Sequence, residues 1–161
     1  KTVAIAREAE TRHGLKVIPV GIEISSVQAE EASALLTPFG GYCIQDSAIQ
    51  GLKHLDSDSI DLAILCSFLE HEINPLPLLR ECSRVLRSQG QVIIKVPNFD
   101  SLNRKIRQRR WCGFRYPDHV NYFTPRTLTQ MISKAGLKIY RMNVFDRLPT
   151  SDNMWVVAEK P

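Results

Sequence analysis

The chain has 161 residues, of which 43% are hydrophobic and 24% charged, with a formal net charge of +4. That size suits one substantial core, and the composition is that of an ordinary globular protein rather than a disordered one. No apolar run approaches the roughly 18 residues that span a bilayer. The opening residues lack the basic-then-apolar order of a secretory signal, and so mild a charge does not by itself mark a nucleic-acid binder.

In chain order, "TVAIAREAETRHG" reads as a helix, with Val3, Ala4, Ala6 and Ala9 on a weak apolar side and Gly14 as its stop. "KVIPVGIE" is short and β-branched, a strand despite Pro19. Ser25 caps the next helix, Gln28 completes a capping box, and Ala32, Leu35 and Leu36 share one face. "TPFGG" breaks that helix. "YCIQD" is a strand ending on Asp46, followed by a polar connection, "SAIQGLKHLDSDS".

"IDLAILCSF" has the unbroken apolar character of a parallel strand covered on both faces. Asn74 and Pro75 open a helix with Leu78, Leu79, Cys82, Val85 and Leu86 in one stripe and Gly90 at its end. "QVIIKVPN" is another strand, and residues 98–123 are irregular. Thr124 and Pro125 start a further helix, with Leu128, Met131, Ile132 and Ala135 as its stripe and Gly136 as its stop. "LKIYRMNVF" and "MWVVAEK" are closing strands whose link is too short for a helical crossover, so they pair antiparallel. Alternating strands and helices predict an α/β, doubly wound and mostly parallel sheet with that antiparallel pair at its end, and residues 1–161 read as a single domain.

Four scattered cysteines, Cys43, Cys66, Cys82 and Cys112, form no CxxC pair, so a cysteine knuckle is not expected and no metal is assigned. Three of them lie in apolar segments and read as small hydrophobes, which points to a reducing, cytoplasmic compartment. Ligands of an open α/β sheet bind beyond the carboxyl ends of its strands. Glu23, Asp46 and Cys66 all fall at such ends. A carboxylate in Glu23's position matches the vicinal hydroxyls of a ribose. The plainer reading is an acid favoured by the nearby helix N-terminus, and the two readings weigh equally. Asp46, with the backbone of Gln45 and Ser47, suits an adenine edge or simply forms a turn. Ile24 offers an apolar surface to a base or only packs.

"VGIEIS", "IQDSA", "DSDSIDLAILCSFLEH" and "LLRECSRVLRSQGQVIIKVPN" resemble successive motifs of class I S-adenosylmethionine-dependent methyltransferases. "RRWCGFRYPDHVNYFTPRTLTQMISKAGLKI" is similar to the later part of small-molecule members. The resemblance covers the chain from Val17 onward and implies a Rossmann-like fold with S-adenosylmethionine as cofactor. It also implies Glu23 as the ribose-binding acid, Ile24 beside the adenine, Asp46 and Ser47 at the adenine edge, and Cys66 and Ser67 facing the sulfonium region. Leu69, Glu70 and His71 match the family's "leucine, glutamate, histidine" turn. The family's first strand and glycine-rich turn have no counterpart, so the chain is expected to be the C-terminal portion of the fold.

The resemblance implies in-line methyl transfer to a small-molecule acceptor, with His71 and His119 as candidate bases. Each histidine also has a structural reading, as holding a loop or making a hydrogen bond, and that reading is the stronger of the two. Trp111 and Tyr122 line an acceptor pocket or, more commonly, pack as core. The run "NRKIRQRRW" with Arg115 reads first as a solvated face, second as a hold for an anionic acceptor, and third as a nucleic-acid contact. Two rivals remain: a non-catalytic methyltransferase-like binding module, and a nicotinamide-binding Rossmann enzyme. The latter leaves "FLEH" and "DHVNYFTP" without a role.

Overall fold

The computed structural model describes residues 2–161. The chain divides between Leu55 and Asp56 into two compact units. In the first, helix α1 (Thr2–His13) stops at Gly14, whose φ of +63° is open to glycine at no steric cost. Strands β1 (Val20–Glu23) and β2 (Tyr42–Gln45) pair in parallel, with Glu23 opposite Gln45. Helix α2 (Ser26–Leu36) makes the crossover between them and buries Ala29 and Leu36.

The connection read as purely polar contains a six-residue helix, α3 (Ala48–Lys53). Gly51 permits its close approach to β1, because a Cβ there would lie 2.4 Å from Ile22 Cγ2. Only half of the expected capping box forms at α2. Ser25 accepts from the Gln28 N–H at 3.5 Å, while its own N–H donates to Glu23 Oε1 at 3.0 Å. The nearer carboxylate has displaced the glutamine.

The second unit is a four-stranded sheet in the order β3-β4-β6-β5. β3 (Ile60–Cys66) and β4 (Leu86–Pro97) are parallel, whereas β6 (Asn153–Glu159) runs antiparallel to both β4 and β5 (Lys138–Met142). The register places Val92 opposite Ala158, Ile94 opposite Val156 and Val96 opposite Met154. All six are essentially without solvent contact. Helices α4 (Pro75–Val85) and α6 (Pro125–Lys134) add the expected stripes, with Leu78, Leu79, Cys82, Leu128 and Ile132 fully buried. Burial pushes the Cys82 thiol up to about 12, the neighbouring Glu81 charge adding to the effect, so it behaves as a small hydrophobe.

Three expectations need correction in this unit. α4 ends at Val85 rather than Gly90, because Leu86 turns extended (φ −66°, ψ 138°) and pairs with Ile60. Leu86 satisfies a helical stripe and a strand face equally, and the sheet pairing wins. Asn74 makes no side-chain cap; its backbone N–H donates instead to Glu72 Oε1. β3 is only half-buried, with Leu62 40% exposed, since β4 is its sole strand partner among the described residues.

Thr124 and Thr127 close a full capping box at α6, and Gly136 ends the helix with a φ of +82°. A short helix, α7 (Val144–Arg147), fills the link between β5 and β6. Near the end of the chain, Lys160 Nζ meets Asp58 Oδ1 at 2.8 Å and the Leu86 carbonyl at 2.9 Å. No helix among the described residues is long and apolar enough to cross a membrane.

The register makes a face-specific prediction. Ile94→Ala should destabilise the fold by about 2–5 kcal/mol in denaturant unfolding, because it opens a cavity on the buried face of the sheet that Ile94 shares with Val156. Ile93→Ala, on the half-buried opposite face, should lose clearly less.

Candidate functional site

In the first unit, Glu23 ends β1 and Asp46 immediately follows β2, so two parallel strands bring both acids to one carboxyl edge. The Asp46 N–H donates to the Glu23 carbonyl at 3.1 Å, which fixes the spacing between the two turns. Glu23 Oε1 accepts from Ser25 N–H, and Asp46 Oδ1 accepts from Ser47 N–H at 2.7 Å. Each acid thus uses one oxygen to order its own turn. The second Asp46 oxygen lies 3.3 Å from His54 Nε2. Beside Glu23, Ile24 is 72% exposed, an aliphatic surface with little cover.

The second unit carries the other residues. Cys66 ends β3 and is half-buried, and Ser67 follows in the left-handed region at φ +53°, its N–H donating to the Lys95 carbonyl. A non-glycine residue held there is under backbone strain. His71 and His119, far apart in sequence, meet edge to face with ring centroids 4.6 Å apart. His71 Nδ1 lies 2.8 Å from the Asp118 carbonyl, and His119 Nδ1 lies 2.8 Å from the Gly113 carbonyl. A carbonyl only accepts, so both Nδ1 atoms donate, and neutral rings then carry their lone pairs on Nε2.

The turn that bears His71 is clasped by the segment that bears His119. The Glu70 carbonyl accepts from the N–H groups of both Val120 and Asn121, and Asn121 Nδ2 donates to the carbonyls of Leu69 and Glu72. Glu70 itself, quoted in the sequence only as part of a turn, is 2% exposed and has a carboxylate oxygen within 4.8 Å of a nitrogen of each imidazole. Sequence spacing gives no sign of this meeting, because it depends on a long-range backbone clasp.

Residues 98–123 are organised by one carboxylate. Asp152 accepts from Ser101 Oγ at 2.8 Å, from Asn103 Nδ2 and from Trp111 Nε1 at 2.9 Å. Burial raises its pKa, but those three hydrogen bonds and the Arg107 charge outweigh it, and the net shift is downward from 3.8. Trp111 is therefore core, 2% exposed, and rests against Gly113, where a Cβ would fall 2.2 Å from the indole. Phe99, Phe114 and Tyr122 complete the aromatic cluster.

Part of the basic run is committed to this structure. Arg104 donates to the Phe99 carbonyl and covers its ring, and Lys105 pairs with Asp100 at 2.7 Å. Arg109, Arg110 and Arg115 are exposed.

A family model described as a methyltransferase domain matches residues 5–141. The chain belongs to the methyltransferase domain family. Among solved structures, it is similar to a SAM-dependent methyltransferase from Archaeoglobus fulgidus at 16% identity and a TM-score of 0.68, covering 99% of this chain and 82% of that one. A chain from the complex between the Haloferax volcanii Trm112 methyltransferase activator and a methyltransferase aligns at 15% identity and a TM-score of 0.72, covering 99% and 79%. A Nostoc punctiforme protein described as an O-methyltransferase aligns at 24% identity and a TM-score of 0.67, covering 98% and 47%. At such identities these likenesses show the fold. No curated protein matches the chain. The methyltransferase family makes S-adenosylmethionine the cofactor and methyl transfer the reaction.

In this methyltransferase, the Asp152 anchor has a definite pH signature. Its depressed pKa contributes stability that is present above the unfolded value of 3.8 and is lost as pH falls through the folded value. Asp152→Asn should destabilise the protein by about 1–3 kcal/mol at neutral pH in thermal or denaturant unfolding. The variant should also show a shallower loss of stability below pH 3.8 than the parent.

Proposed function

We propose that the protein transfers a methyl group from S-adenosylmethionine to a small-molecule acceptor, with the β1–β2 edge holding the nucleoside. The observation that carries this reading is the pair of acids, Glu23 and Asp46, on one edge beside the exposed Ile24. Glu23 keeps Oε2 for a ribose hydroxyl while Oε1 orders the α2 start. Asp46 and the Ser47 backbone meet the adenine edge, and Ile24 covers a base face. Such a set of an acceptor oxygen, an apolar patch and a second acid fits an adenosine.

Cys66 and the strained Ser67 are assigned to the sulfonium end. When bound, the cofactor supplies an activated methyl, so the protein's task is to position the acceptor and manage its proton. His71 and His119 present lone pairs at Nε2 for that proton. The match runs across both units, which supports treating residues 1–161 as one methyltransferase-like domain. Free cysteines throughout support a reducing compartment such as the cytoplasm.

The exposed guanidinium groups of Arg109, Arg110 and Arg115 favour an anionic acceptor over a neutral one. In titration calorimetry with S-adenosylhomocysteine, Glu23→Ala should weaken binding by about 1–3 kcal/mol. Glu30→Ala, an exposed acid on α2, should leave binding unchanged, and equal affinity in both variants would remove Glu23 from the site. Replacing Arg109 and Arg110 by Gln should raise KM for an anionic acceptor while cofactor affinity stays at the parent value. A fall in cofactor affinity instead would place these arginines elsewhere in the reaction.

A further inference from the structure

Glu70, His71 and His119 present a set of atoms that their protein surroundings do not satisfy. Glu70 Oε2 is buried without a hydrogen-bond partner among the described residues, in a residue only 2% exposed. An orphaned buried carboxylate oxygen is costly, and native proteins keep few of them. The two imidazoles grouped with Glu70 each spend the Nδ1 proton on a backbone carbonyl. One ligand-capable atom from each of the three residues lies within 4.8 Å of the other two. Three acceptors gathered without a donor call for a cation. A single proton satisfies one pair of them, whereas a metal ion satisfies all three.

We propose that Glu70, His71 and His119 form a binding site for one divalent transition-metal ion of the zinc type. Two imidazoles and a carboxylate are a nitrogen–oxygen set suited to such ions, and three protein ligands leave a position for water or an acceptor oxygen. The carbonyls of Asp118 and Gly113 do what outer-shell partners of metal-bound histidines do: they fix the tautomer and aim Nε2. The ligand charges leave the centre with a net charge of about +1, which favours an anionic oxygen in the open position. Bonds of about 2.0–2.1 Å require the ligand atoms to close by roughly 1 Å. His71, exposed on its turn, has the freedom to make that movement.

The site draws on the same two histidines that the methyl-transfer reading makes bases, so a bound ion would take their lone pairs, and its test is therefore metal uptake by the chain itself rather than turnover. Zinc chloride titrated into the purified full chain, in competition with a chromophoric chelator, should show one ion bound per chain. His71→Ala removes an exposed ligand without opening the core and should weaken uptake at least about tenfold. Glu70→Gln keeps the buried shape and should weaken it similarly. Cobalt(II) in place of zinc should give visible d–d bands without the strong near-ultraviolet absorption of thiolate ligation. Zinc should also raise the melting temperature of the parent more than that of either variant. Absence of uptake would overturn the proposal. It would fall equally if uptake survived both substitutions or if the cobalt spectrum showed thiolate.

Discussion

The carboxylate of Asp152 is the point on which the irregular part of the second unit depends. Residues 98–123 contain a short helix, α5 (Leu102–Arg107), a single 3-10 turn (Gln108–Arg110) and an isolated β-bridge, so no ladder fixes their path. Instead, three side-chain donors from Ser101, Asn103 and Trp111 converge on a single acceptor beside β6. An ionised acceptor makes each of those bonds stronger than a neutral one would. The order then propagates. Trp111 lies against Gly113, the Gly113 carbonyl orients His119, and His119 stands beside Glu70 and His71. A residue with no atom in the histidine cluster thus sets the geometry of that cluster.

Much of this fold was legible in the chain because its local signals agree with its tertiary needs. The stripes of α4 and α6, the cap at Thr124, the stops at Gly14 and Gly136 and the antiparallel final pair all follow from residue type and spacing. Where two patterns fit the same residue, the sequence misled. Leu86 continues a helical stripe and also begins an alternating strand, and only its pairing with Ile60 decides between them. The six residues of α3 were hidden for a related reason. They are too few to show a helical period, and Gly51, a poor helix former, is there to let the helix approach Ile22.

The two candidate clusters, one in each unit, differ in the same way. Glu23 and Asp46 could be read from the sequence because strand ends are local features, and parallel pairing then carries neighbouring ends to one edge. The grouping of Glu70 with His119 could not be read. It arises from two amide donors, Val120 and Asn121, converging on one carbonyl from a distant segment. Backbone bonds of that kind leave no mark in composition or periodicity. Membership of the methyltransferase family sets the cofactor and the reaction, yet the acceptor depends on such non-local features, since a fold hosts chemistry through the side chains it gathers.

The clasp between Lys160 and Asp58 has a consequence for how the second unit may be handled as a piece of polymer. It brings residues 58 and 160, near the two bounds of this unit, to one corner. Bodies with adjoining ends tolerate reordering of their segments. A short tether across that corner, with fresh ends opened in an exposed turn, would preserve every strand neighbour described for the four-stranded sheet while changing the order in which the strands emerge during synthesis.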